Sequence, residues 1–266
     1  MKPDSRIQIR DYIAGLMQAG RYFFSSADAV SALGSSADAV KLALNRLRRK
    51  GDIASPGRGV YVIVPPEYRS LGCLPADQFI PALMAHARAP YYAGLLTAAQ
   101  YHGAAHHRPQ GFQVMVEKAR RPIECGLVRI AFYVRKRLSK VPTQNINTPR
   151  GFLAVSTPAA TAFDLVGYET QVGGLDAVAT VLIDLAERLE PKELVTLAPT
   201  VPLPWVQRLG YLLELIEEAP LAQSLKDFVR ARARDVVALQ PSAAHDGALR
   251  NRDWKLLINA DIEADT

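Results

Sequence analysis

The sequence predicts an α+β protein: an N-terminal winged helix-turn-helix followed by a mixed α/β domain with a helical C-terminal section. Three observations carry this expectation. The hexapeptide Ser-Ser-Ala-Asp-Ala-Val occurs twice, at 25–30 and 35–40, each copy opening a short helical pattern. The apolar period then changes from helix to strand just after Gly51. Beyond the linker, strand-like runs alternate with helices and give way to helices alone. Hydrophobic residues make up 49% and charged residues 22% of 266. That balance provides for packed cores and excludes a disordered chain.

Each element follows from local signals. Ile9, Ile13 and Leu16 recur at helical spacing over 5–19, and Gly20 stops the run. Ser25 with Asp28 matches the [ST]-x-x-[DE] start of a helix over 26–33, ended by Gly34. The same signal, Ser35 with Asp38, opens a third helix running to Lys50. Two short helices separated by a glycine-containing turn are the helix-turn-helix pattern. Residues 53–55 and 60–64 then read as strands flanking Pro56-Gly57-Arg58-Gly59, a hairpin tip or wing. Pro65-Pro66 begins a linker over about 65–75.

The second part reads as helices over 77–88 and 91–102, broken at Pro90, then strands at 112–116, 128–134 and 152–155. Thr157-Pro158 starts a helix in which proline sits near the first position. Further helices are expected at about 174–189, 191–198, 203–217 and 223–237. Gly210, within Leu209-Gly210-Tyr211, marks a close helix–helix approach, and 254–258 a short edge strand. Domains are accordingly expected at 1–68 (winged helix) and 69–266, the latter divided into a basic part, 69–155, and an acidic helical part, 156–266.

Charge separates along the chain. Residues 1–69 carry 11 Lys/Arg against 6 Asp/Glu, residues 70–150 carry 11 against 3, and residues 151–266 carry 10 against 17. A basic front and an acidic rear fit a protein whose first half meets a polyanion. In the third helix, Val40, Leu44 and Leu47 form the packing face. Lys41, Asn45 and Arg48 form a second stripe about 100° round. Short residues at the helix start (Ser36, Ala37) allow close approach to a major groove. The Asn45 amide can read base edges, and the cations, with Arg46 and Arg49, can meet guanine or phosphate. Arg58 at the wing tip is placed for a phosphate or the minor groove. Two basic clusters, Lys118, Arg120 and Arg121, then Arg135, Lys136 and Arg137, follow predicted strands. Together with Lys140 and Arg150 they are candidates for further phosphate contacts.

Other chemistries fare less well. His102, His106 and His107, with Cys125, lack the spacing of a zinc site, so no metal is expected. Glu117 and Lys118 are adjacent and would face opposite sides of a strand, unlike the acid and lysine of a metal-dependent nuclease. No phosphate-binding glycine loop and no placed nucleophile are visible, so neither a cofactor nor an enzyme is expected. No apolar run approaches the roughly 18 residues needed to span a bilayer. The start, 1–6, lacks the apolar segment of a signal peptide, and two cysteines fit a reducing compartment. A cytoplasmic protein is expected.

Four stretches carry a family resemblance: the winged helix ending in Gly57-Arg58-Gly59-Val60-Tyr61; the run 91–103, Tyr-Tyr-Ala-Gly-Leu-Leu-Thr-Ala-Ala-Gln-Tyr-His-Gly; 156–165, Ser-Thr-Pro-Ala-Ala-Thr-Ala-Phe-Asp-Leu; and 208–213, Arg-Leu-Gly-Tyr-Leu-Leu. In this order they resemble the AbiEi-type antitoxins of bacterial abortive-infection (type IV toxin–antitoxin) systems. The resemblance implies an autorepressor that binds double-stranded DNA at inverted repeats in its own promoter. It also implies an antitoxin opposing a nucleotidyltransferase-like toxin, without assuring direct contact between them. Arg58 and the third-helix residues map onto the family's DNA-contacting elements, and no catalytic residue carries over. Alternatives of other classes are a winged-helix-fused nucleic-acid-cleaving enzyme and a metabolite-responsive regulator.

Overall fold

The computed structural model describes residues 8–104 and 110–264. In chain order the first elements are α1 (Ile9–Gln18), β1 (Phe23–Ser25), α2 (Ser26–Leu33), α3 (Ala37–Arg49), β2 (Ile53–Gly57) and β3 (Val60–Ile63). Next come α4 (Ala76–His86), β4 (Tyr91–Ala93), α5 (Leu95–Tyr101), β5 (Phe112–Val116), β6 (Ile123–Cys125), β7 (Val128–Val134), β8 (Thr143–Thr148) and β9 (Gly151–Ser156). The chain ends with α6 (Pro158–Gly167), α7 (Glu169–Val172), α8 (Leu175–Ala186), α9 (Pro191–Leu197), α10 (Leu203–Leu215), α11 (Ala219–Arg232), β10 (Val237–Ala238), β11 (Leu249–Asn251) and β12 (Leu256–Ile258). The fold is α+β, with the winged helix-turn-helix at its N-terminus and mostly helices toward its C-terminus.

Packing divides the chain into two compact units. The first comprises 1–91, 110–136 and 145–154; the second comprises 92–109, 137–144 and 155–266. The first unit therefore groups the winged helix with α4 and the β5–β7 strands, which an expected division at residue 68 had set apart.

In the first unit, β1, β3 and β2 form a small antiparallel sheet in that order. Successive residues of a strand face opposite sides, and here both sides are buried. Phe24, Ile53 and Ile63 turn to one face, where they meet Leu16, Ala29, Leu33, Val40, Leu44 and Leu47 of the three helices. Ala54, Val60 and Val62 turn to the other face and join Leu74, Phe79, Ile80, Val114, Val116, Val128 and Ile130. The wing's sheet is thus the middle layer of the unit. β5 pairs parallel with β7, and β6 pairs antiparallel with β7.

The twin hexapeptides do not produce twin helix starts. At α2, Ser25 caps: its hydroxyl accepts from the Asp28 N–H, and the Asp28 carboxylate accepts from the Ser25 N–H at 2.8 Å. At α3 the cap is Ser36, accepting from the Ala39 N–H at 3.3 Å, one residue later than the sequence pattern placed it. Ser35 instead donates to the Leu33 carbonyl. The turn that begins at Gly34, left-handed at φ 58°, sets this register.

In the second unit, α6 is the central helix: every residue from 159 to 166 is buried. It packs against α5, α8, α9 and α10. Thr157 caps it and Pro158 occupies its first turn, as expected. β4 pairs parallel with β9 through Ala93 and Val155. Three expectations are corrected here. Residues 91–93 are a strand rather than the start of a helix: extended Gly94 separates them from α5, whose first residue, Leu95, has φ 54°. Gly210 makes room for an indole ring, not for a neighbouring helix. A Cβ on it would lie 2.0 Å from the Trp254 ring. The strand near Trp254 is not an edge, because β12 lies between β10 and β11. Trp254 is fully buried, and Gln207 of α10 donates to its carbonyl and to that of Lys255 at 3.1 Å.

Candidate nucleic-acid interface

The helix-turn-helix places its side chains as the spacing requires. Val40, Leu44 and Leu47 are buried against α1, α2 and the sheet, which turns Lys41 and Arg48 out to solvent and leaves Asn45 half-exposed. Ser36 and Ala37, at the start of α3, are exposed. The Ser36 hydroxyl oxygen is engaged as the cap, but its proton remains available to an acceptor. Arg46 and Arg49 are exposed in the last turn of α3, where cations also complement the helix dipole.

The wing is a two-residue turn. Gly57 pairs with Val60, so Arg58 and Gly59 alone make the reversal. Gly59 takes φ 73°, a conformation that disfavours any side chain. The Ser55 hydroxyl lies 2.8 Å from the Gly57 carbonyl and 3.0 Å from that of Val60, bracing the turn from beneath. The Ser26 N–H donates to the Gly59 carbonyl at 2.8 Å, joining the start of α2 to the wing. Between these elements runs a groove of about 640 Å³, with Lys41 on one side and Arg58 on the other. Ser26, Ala27 and Tyr61 also line it. Ser26 and Ala27 were not legible as candidates, because only the hydrogen bond from α2 to the wing brings the start of α2 to this surface.

The basic clusters divide. β5 and β7 are parallel and in register from Phe112↔Ile130 to Val116↔Val134, so the loop after β5 and the segment after β7 leave the same end of the sheet. Lys118, Arg121 and Lys136 are exposed there and Arg120 is half-exposed. Arg135 departs from the expectation. Its N–H donates to the Val116 carbonyl at 2.8 Å, extending the ladder by one residue. Its side chain is buried, 6% exposed, with the guanidinium donating to the Lys136 carbonyl. Arg135 is therefore withdrawn from any phosphate. Arg137 is exposed, in a left-handed conformation at φ 56°, and Lys140 is exposed. Arg150 is engaged within the fold. Its guanidinium lies 3.2 Å above the Tyr22 ring centroid, and its Nε donates to Gln78 at 2.9 Å.

The family-like stretches of the second unit form a buried polar core. The Tyr92 hydroxyl donates to Asp164 at 2.5 Å. His102 Nε2 lies 2.8 Å from the Ser156 carbonyl, and Ser156 and Thr161 hydroxyls are 2.7 Å apart. The Arg208 guanidinium donates twice to the Ala238 carbonyl. Tyr92, His102, Ser156, Thr161, Asp164 and Arg208 are all buried, so these polar side chains hold the fold together. Burial pushes the His102 imidazole down from its ordinary range, against the opposing effect of its bond to Ser156. His106 and His107 lie outside the described residues. Glu117 and Lys118 are exposed beyond the end of β5, and among the described residues no three His, Cys, Asp or Glu side chains converge as metal ligands. A depression of about 420 Å³ in the second unit is lined by Lys140, Pro142, Thr157, Lys192, Thr196 and neighbours.

Among the described residues no helix is long and apolar enough to cross a membrane. The chain is similar in fold to the RV2827C protein from Mycobacterium tuberculosis, known from a crystal structure, with a TM-score of 0.66 at 18% identity. That alignment covers 92% of this chain and 89% of the other. No curated protein matches the chain. Two family models do. Residues 16–64 match a transcriptional regulator described as an AbiEi antitoxin, and residues 92–215 match the AbiEi antitoxin C-terminal domain. The first match spans the helix-turn-helix and wing, and the second ends with α10, just before the tail that docks Trp254 beneath Gly210. With the two models matched in order along the chain, it belongs to the AbiEi antitoxin family of transcriptional regulators.

Proposed function

We propose that the protein is a cytoplasmic, DNA-binding autorepressor and antitoxin. It would act by binding rather than catalysis and would require no cofactor. The observation that carries the DNA reading is the surface on which Lys41 and Arg58 face each other across an open groove, with Arg48 and Asn45 further along α3. In this reading α3 enters the major groove of an inverted-repeat operator at the protein's own promoter, and Asn45 discriminates bases. Arg58 reaches the adjacent backbone or minor groove. Lys118, Arg120, Arg121 and Lys136, on the same compact unit, add phosphate contacts.

The work divides along the chain: residues 1–68 read the sequence, 69–155 support them on phosphate, and the acidic 156–266 stay off DNA. Residues 69–266 oppose a nucleotidyltransferase-like toxin. The family assignment supports this second role, which needs no stable complex with the toxin. Two tests separate the claims. In a binding titration on the promoter duplex, Asn45→Ala is expected to relax sequence preference. Arg121→Ala is expected to weaken all sequences alike and reduce the salt slope by about 0.9. An unchanged slope removes the basic rim from the interface. For the antitoxin role, co-expression with the neighbouring reading frame should restore growth that the toxin alone arrests. A metabolite-responsive regulator is the second reading, favoured by the depression at Thr157 and Lys192, whose volume lies within the range of small-molecule sites. A ligand-dependent rise in melting temperature would support it.

A further inference from the structure

Each copy of the repeated hexapeptide carries an aspartate in its start signal, and the fold uses the two differently. Asp28 is engaged locally: its carboxylate accepts from the Ser25 N–H and hydroxyl, both at 2.8 Å, closing the capping box of α2. Asp38 is not so engaged. The cap of α3 sits at Ser36, one residue late, which puts Asp38 at the second position of the helix. A reciprocal box needs its acid at the third, where α3 has Ala39. Among the described residues no hydrogen bond or ion pair holds the Asp38 side chain, and it is exposed.

The same residue stands on the surface assigned to DNA. Asp38 falls three residues before Lys41 and seven before Asn45, so it extends their stripe by one turn toward the start of α3. With Lys41 and Arg58 it lines the groove of about 640 Å³, as the one carboxylate among the described lining residues. A surface built only to hold phosphate has no use for a carboxylate there. The two anions repel, and desolvating an unpaired carboxylate costs further.

We propose that Asp38 is a specificity-determining residue whose carboxylate accepts a hydrogen bond from the N4 amine of cytosine in the major groove, an inference that rests on the DNA-binding reading of this groove.

The chemistry of the base edges singles out that partner. With α3 in the major groove, its N-terminal residues face the bases. An ionised carboxylate only accepts, and the major groove offers two exocyclic donors, cytosine N4 and adenine N6. Adenine sets its N7 acceptor beside N6, which repels the second carboxylate oxygen, whereas cytosine has only a C–H on that side. Guanine presents two acceptors, and thymine an acceptor and a methyl group, so both are rejected. Ser36 and Ala37, the short residues before Asp38, let the first turn come close. Lys41, one turn on, suits the acceptor edge of a guanine, so acid and ammonium together match donor and acceptor edges. Asp38 thereby acts by exclusion, weakening contact with every duplex that lacks the donor.

The test selects bound sequences from duplexes with a randomised segment, using the full chain. The wild-type chain should enrich cytosine at one position of the site. Asp38→Ala should lose that preference, keep the others, and bind the disfavoured duplexes more tightly than wild type. Asp38→Asn should move the preference from cytosine to adenine, whose N6 and N7 pair with an amide. Replacing the selected cytosine by a pyrimidinone without the N4 amine should weaken wild-type binding about tenfold and leave Asp38→Ala unchanged. A purely structural role would instead lower the urea midpoint of Asp38→Ala and weaken all sequences alike, and that result would overturn the proposal. Identical selected sequences from wild type and Asp38→Ala would also overturn it while leaving the DNA reading standing. No saturable binding of any duplex by the wild-type chain would sink the DNA reading and this inference with it.

Discussion

Arg150 is the residue that most clearly separates composition from position. In sequence it closes the most basic stretch of the chain, 70–150. In the structure its side chain is only 15% exposed, stacked on Tyr22 and bonded to Gln78, with Glu67 at 3.9 Å. It thereby clips the β8–β9 turn to the winged helix and to α4 within one unit. Partial desolvation makes such a stacked cation worth about 2 kcal/mol. Arg150→Ala should lower unfolding stability by roughly that amount in a urea titration. Arg150→Lys should recover little, since an ammonium cannot both stack and donate sideways. A stability change within error for both variants would mean the clip is idle. His102 makes a different prediction. Its Nε2 carries the proton that the Ser156 carbonyl accepts, and burial, outweighing that bond, depresses its pKa below the ordinary 6.5 and favours the neutral ring in the folded state. The unfolded chain then binds the proton first as pH falls. Stability contributed by the neutral ring is complete above pH 6.5 and declines as pH drops from there toward the folded value. His102→Gln should flatten the wild-type slope of stability as pH falls below the ordinary 6.5. An unaltered slope would assign it to other groups.

At the scale of elements, the twin hexapeptides show what a sequence pattern specifies and what it leaves open. Both copies carry the signal for a capped start, and both do open helices. Only the first forms the reciprocal box, with Asp28 held low in pKa by the Ser25 backbone and hydroxyl. In the second the turn after Gly34 shifts the cap to Ser36 and leaves Ser35 bonded backward to Leu33. Ser25→Ala should therefore cost about 1 kcal/mol, Ser36→Ala less, and Ser35→Ala close to nothing, measured by thermal or urea unfolding. Equal losses at 25 and 35 would restore the repeat to symmetry. The same distinction explains which elements were legible. α2, α3, β5 and β7 have full periods and clear stops, and they fall where the pattern places them. β1, β4 and β6 have three residues each, too few for alternation to register, and they exist because neighbouring strands accept their hydrogen bonds. Tyr91–Ala93 lay next to a strong helical run, and nothing local reveals that Leu95 takes a positive φ. The exposed stripe of Lys41, Asn45 and Arg48 was legible because one helix determines it. The inward turn of Arg135 was not, because it depends on a hydrogen bond to another strand.

For the molecule as a whole, the consequential feature is that the wing's sheet is buried on both sides. A winged helix that folds alone would keep one face of its sheet for solvent, with polar residues alternating there. Here Val60, Val62, Ala54 and Val64 are each at most 7% exposed, and they pack against α4 and the β5–β7 strands. Leaving an aliphatic side chain of this size in water costs about 1.5–3 kcal/mol, so exposing the three valines together removes much of the margin of a small domain. Residues 1–68 alone should consequently unfold at much lower urea than the full chain, or hide the bared face by self-association in sedimentation. Restoring polarity on that face, with Val60→Thr and Val62→Thr in the fragment, should return it to a monomer while destabilising the full chain, where the same positions lie in the buried cluster that includes Phe79 and Val116. A monomeric, cooperatively unfolding wild-type fragment would contradict this and make the winged helix an independent module. If instead the fragment behaves as expected, the proposed DNA binding and core integrity cannot be separated by truncation. Dissecting the interface then requires surface substitutions such as those at Asn45 and Arg121, which leave both faces of the sheet covered.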